Sequence, residues 1–136
     1  MSNLVLGFAG QQITQIPATF ISRTASETIE AGQPVFRDST DGVTKENNAK
    51  VATSATGFLG ICATGAQKGQ SVRIMTEGAI VVKVSGSVAA GDQATFDANS
   101  KWGSSEAYKL TAGVFDSTTS GEGLAIIRMA NAIAST

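Results

Sequence analysis

Apolar and polar positions along this chain follow the period of strands. Nowhere do positions i, i+3, i+4 and i+7 stay apolar over three turns, so no long helix is expected. Ile13-Thr14-Gln15-Ile16 alternates, and Pro17 ends that segment or confines it to a sheet edge. Further strands are predicted at 18–22, 35–38, 43–45, 50–53, 58–64, 71–76 and 79–85, then at 93–97, 101–102, 108–115 and 124–129. The run Ile80-Val81-Val82 followed by Val84 is dense in β-branched residues, which suit a pleated surface. Turns are marked by Gly32 and Pro34, Asp41-Gly42, Glu77-Gly78, Gly91-Asp92 and Asn99-Ser100. Residues 130–136 read as a short helix or a frayed tail. Many short strands with glycine-rich turns indicate an all-β fold: a compact sandwich or barrel of short antiparallel strands.

Two phrases recur in order. AGQPVF at 31–36 matches AGDQATF at 90–96, and GICATGAQKGQSVRIM at 60–75 matches GVFDSTTSGEGLAIIRM at 113–129. The chain is therefore expected to hold an internal pseudo-repeat, with units of about 29–76 and 88–130. Residues 1–22 carry no charged side chain and read as an extended N-terminal arm or edge strand, ahead of a single β-domain at 23–136.

With 136 residues the chain is about one domain, long enough for one real core. Charged residues make up 15%, below the ~25% typical of soluble domains. Ser, Thr, Gly, Ala and Asn replace them, giving a neutral, hydrogen-bonding surface suited to packing against other proteins. The net charge is −1, and the ten Lys and Arg are spread out, which argues against a nucleic-acid partner and against a basic membrane-binding segment. The apolar stretch Leu4–Ala9 is too short for a signal peptide, and no run is long enough to span a membrane. The expected place of synthesis is the cytoplasm.

Histidine is absent, which removes the usual general base, the Ser-His-Asp and Cys-His arrangements and imidazole zinc sites. Cys62 is the only cysteine and sits in an apolar run, so it reads as a small buried hydrophobe rather than a reactive thiol. A Ser–Lys dyad drawing on Lys68, Lys83 or Lys109 would need a desolvated lysine beside a serine. Asp38, Asp41, Glu77, Asp92 and Asp116 sit at turns, where backbone capping explains them better than glycoside hydrolysis. Asp97-Ala98-Asn99-Ser100-Lys101 has alternating oxygen ligands but lacks the glycine and glutamate of a calcium loop. Residues 64–71 have the look of a phosphate loop without a following helix. Trp102 is either a sugar-binding platform or a core-capping or interface residue. No catalytic, cofactor-binding or metal-ligating residue is expected, and no cofactor.

The segments Ile29–Phe36, Gly57–Ile61, Gly69–Lys83 and Val88–Phe96, taken in order, resemble tailed-phage capsid structural cement or head decoration proteins. The resemblance implies a β-rich virion protein, made in the host cytoplasm, on the exterior of an icosahedral capsid. Its implied partners are the major capsid protein and itself, as a dimer or trimer; the alternative is a β-sandwich binding module of a phage tail or fibre that takes glycan or protein, with Trp102 as its sugar platform. No site residues carry over from the family. The expected interface is the arm, with Leu4, Val5, Leu6, Phe8, Ile13 and Ile16 as anchors; the competing role for these residues is completing the β-core.

Overall fold

The protein is described by a computed structural model covering residues 6–13, 16–38 and 48–136. The expected turn at Asp41-Gly42 and the strand at 43–45 lie outside those residues. Ten strands form: β1 (Thr19–Ala25), β2 (Pro34–Arg37), β3 (Asn48–Val51), β4 (Phe58–Thr64), β5 (Ser71–Val84), β6 (Gln93–Phe96), β7 (Trp102–Gly103), β8 (Tyr108–Phe115), β9 (Gly123–Met129) and β10 (Ala134–Ser135). The described residues contain no helix.

Strand pairing closes two rings. β1 pairs β3, β3 pairs β2, β2 pairs β4, β4 pairs β5, and β5 returns to β1. The second ring runs β5–β7–β6–β8–β9 and back to β5. Of the two expected all-β architectures the barrel is the one formed, twice, around a shared strand. Closure removes the unpaired edges that a sandwich would leave. Pairing is mixed rather than purely antiparallel: Thr24 and Ala25 lie parallel to Asn48 and Ala49, and Val84 lies parallel to Trp102.

The shared strand β5 is a single 14-residue element where the sequence predicts two strands and a turn. Glu77-Gly78 does not reverse the chain. Instead β5 pairs β1 through Glu77 and β9 from Gly78 onward. The tail also differs from expectation: Ala134 and Ser135 pair with Leu110 and Lys109 as β10, which ties the C-terminus to β8.

Each ring has its own interior. Ala25, Ile29, Val35, Ala49, Cys62, Ala66, Val72 and Ile74 fill the first. The second is larger and is centred on Phe96, whose ring lies 5.4 Å from both Trp102 and Tyr108 and 5.6 Å from Phe58. Phe58, Ile61 and Met75 belong to strands of the first ring yet pack into this second core, so the two barrels share buried surface.

The two rings use matched turns. Ile29 and Ala66 exchange both backbone hydrogen bonds, and so do Val88 and Thr119. Gly32 N donates to Cys62 O and Cys62 N to Gln33 O, while Gly91 N donates to Phe115 O and Phe115 N to Asp92 O. A side-chain oxygen caps each turn: Gln33 Oε1 accepts from Glu30 N, and Asp92 Oδ2 accepts from Ala89 N.

Candidate docking surface

The N-terminal segment lies along the C-terminal half of β5. Gly10 N donates to Val81 O at 2.7 Å, Val81 N to Gln11 O at 3.0 Å, and Ile13 N to Ala79 O at 3.3 Å. These bonds surround an isolated antiparallel bridge, Gln12 opposite Ile80, that lies outside the ten strands. Close approach depends on small residues. A Cβ on Gly32 would meet the Ala9 methyl at 2.9 Å, and one on Gly10 would meet both the Ala31 methyl and Ala63 O at 2.7 Å.

The expected anchors divide by position. Ile13 is 4% exposed and packs with Ala79, Val81 and Ile126; Leu6, Ile16 and Leu124 lean half-buried on the same cluster. Those side chains cover the outer face of β5, which explains why Ile80, Val81 and Val82 are all apolar: both faces of this strand are buried. Among the expected anchors that the structure describes, Phe8 alone is exposed, at 64%. Leu4 and Val5 lie outside the described residues.

Phe8 stands beside a groove of about 830 Å³ between the two barrels. The arm, the Glu30–Gln33 turn, the end of β5, the Asn99–Trp102 turn and the start of β9 line it. Trp102 lies beneath, 1% exposed, with its Nε1 donating to Gly32 O at 2.7 Å. A sugar platform at Trp102 is thereby overturned, since its ring is spent on the core and on a bond between the barrels. Beside it Ser100 Oγ donates to Ala52 O at 2.6 Å, a second link of the same kind.

Four exposed charged side chains line the groove: Lys83, Lys101, Glu30 and Glu122. None of them forms an ion pair among the described residues. Because Val84 is registered against Trp102 in parallel, Lys83 and Lys101 stand at the same level on neighbouring segments. The sequence gives no local signal for this pairing, since the two lysines are brought together only by a parallel register across a long connection.

The other chemical candidates serve the fold. Asp97 Oδ1 accepts from Asn99 N at 2.8 Å and Lys101 N at 2.9 Å, capping a turn in which Ser100 adopts a φ of 64°. Ser85 Oγ donates to Trp102 O, and Ser117 Oγ accepts from Ile126 N. Cys62 is fully buried, its Sγ donates to Thr64 O at 3.3 Å, and burial pushes its thiol up from 9.0 to about 12, a fixed small hydrophobe rather than a nucleophile. Asp116 meets Arg128 at 3.6 Å on the surface.

Comparison with known proteins supplies the context for this surface. A family model described as structural cement protein (E217 gp24/Pam3 gp6) matches residues 1–130. No curated protein matches the sequence. Among solved structures, the N base of head fiber gp8.5 in bacteriophage phi29 superposes with a TM-score of 0.58 at 10% identity, over 88% of this chain and 100% of that chain. At that identity the likeness is one of fold.

Proposed function

We propose that this chain, which belongs to the phage structural cement protein family, seats on the outer surface of an icosahedral head and bridges neighbouring major capsid protein subunits. Its role as a capsid cement protein follows from the family, whose model spans nearly the whole chain; that match is the observation that carries the reading. The finer claims are ours: the exterior position, the bridging, self-association as a dimer or trimer, and synthesis in the host cytoplasm without nucleic-acid or membrane partners.

A bridge stabilises only the assembled shell, because a ligand stabilises the state it binds. One small contact is weak, whereas an oligomer touching several subunits gains by effective concentration. The low charge and the abundance of small polar residues support close, wet packing against a protein lattice. We assign the contact to the arm at 1–22, with Phe8 as its exposed anchor, on a single β-domain at 23–136. The matched turns support reading that domain as a duplicated unit, about 29–76 and 88–130.

The test is addition of purified protein to heads that lack it. Bound protein is expected on the outside of the shell by electron microscopy, and decorated heads are expected to retain DNA to higher temperature. Heads that take up no protein, or that gain no stability when decorated, would refute the proposal.

A further inference from the structure

We infer that the groove between the barrels is a peptide-docking site, and that its occupant is an extended, acidic-centred segment of a capsid subunit. The inference rests on the cement reading and goes beyond it by naming the surface and the chemistry of the partner.

Three observations carry it. First, the parallel register of Val84 with Trp102 sets Lys83 and Lys101 at the same level of the groove lining, neither in an ion pair among the described residues, and like charges at one level of a sheet cost stability unless something offsets them. Among the described residues neither Glu30 nor Glu122, which line the same groove, forms an ion pair with them; Asp97, the carboxylate nearest in sequence to Lys101, is turned to backbone amides, and Asp116 is engaged with Arg128. A carboxylate from outside would meet two ammonium groups at once, the kind of charge-assisted contact that is stronger than a neutral one. Second, Phe8 is largely exposed on the groove's edge, where an aromatic ring beside charged groups has the make-up of a binding hot spot. Third, the lining is polar and charged, including Gln33, Ser85 and Asn99, whereas small-molecule sites of about 300–1,000 Å³ are mostly apolar. Glu30 and Glu122 face the same groove, so the segment is of mixed charge, with acidic groups over the lysines and basic or amide groups toward the glutamates.

The groove is framed by hydrogen-bonded elements. Its floor is Trp102, bonded to Gly32, and one wall is the arm, bonded to β5. A pre-shaped site spares a partner part of the ordering cost of binding.

The experiment is co-sedimentation of the full-length protein with undecorated heads. The double variant Lys83→Glu with Lys101→Glu is expected to weaken binding by roughly tenfold or more, and Phe8→Ala by a similar factor. Lys68→Glu, an exposed lysine away from the groove, is expected to bind as the parent does. All altered side chains are exposed, so circular dichroism should show unchanged folding; the milder pair Lys83→Gln with Lys101→Gln serves if it does not. A photoreactive group at position 83 is expected to join the protein to the capsid subunit. Parent protein that binds heads while the lysine variants bind equally well sinks the groove alone, as does cross-linking only to a second copy of this chain. Parent protein that does not bind heads sinks the cement reading and the groove together.

Discussion

Single residues divide here between holding the barrels together and facing outward, and Trp102 is the clearest of the first kind. Its indole bonds the Gly32 carbonyl across the boundary between the two rings while its face meets Phe96 edge-on. Trp102→Phe keeps most of the aromatic packing but leaves that carbonyl without its donor, so unfolding free energy is expected to drop by about 1–3 kcal/mol, read from urea denaturation. Cys62 makes a second residue-level prediction. Its folded pKa, about 12, lies above the 9.0 of an exposed thiol because burial disfavours the thiolate. The folded state therefore holds the proton that the unfolded state gives up. The contribution to stability is complete below pH 9 and is lost as pH rises toward 12, with a slope of up to about 1.4 kcal/mol per pH unit. Cys62→Ala should flatten that alkaline decline, and the native thiol should resist alkylation until the protein unfolds.

At the scale of elements, turns and strands differ in how much of their setting is local. The turns at Gly32 and Gly91 share one hydrogen-bond frame and similar positive φ values, 88° and 96°. Yet a Cβ at Gly91 meets nothing, while one at Gly32 runs into Ala9. Gly91→Ala should therefore cost only the left-handed backbone penalty, about 1–2 kcal/mol. Gly32→Ala should cost visibly more and expose Gly10 and Ile13 amides to faster hydrogen exchange as the arm lifts. Equal costs with an undisturbed arm would contradict the packing described. The same contrast explains what was legible in the sequence. The span of β4 and of β8 is fixed by local alternation and flanking turns, and both match the expected 58–64 and 108–115. Glu77-Gly78 misleads because glycine serves two purposes: here it admits Ala18, whose methyl would lie 2.7 Å from a Cβ, inside an unbroken strand. The parallel pairs that close each ring join segments far apart in sequence and leave no periodic trace. That is why ring closure, the Lys83–Lys101 pairing and the split of the arm into buried Ile13 and exposed Phe8 emerge only in three dimensions.

For the whole molecule, the decisive feature is that the two barrels cannot be separated. One strand, β5, belongs to both rings, and side chains from the first barrel, Phe58, Ile61 and Met75, lie in the core of the second. Ser100 and Trp102 add hydrogen bonds across the boundary. Unfolding one ring would strip β5 of its partners and open the other core to water, so neither half has a stable state without its neighbour. A chain of this size with one connected core is expected to unfold in a single cooperative step. Trp102 fluorescence reports the boundary and far-ultraviolet circular dichroism reports all strands, and their denaturation curves should coincide. A cavity made in the first barrel by Ile74→Ala, or in the second by Ile127→Ala, should each cost about 2–5 kcal/mol and shift both curves together. Two separated transitions, or a variant that shifts one signal and spares the other, would show that the barrels fold as independent units. Such independence would also weaken the mechanical case for a cement protein, since a clamp whose halves loosen separately transmits little restraint between the subunits it joins.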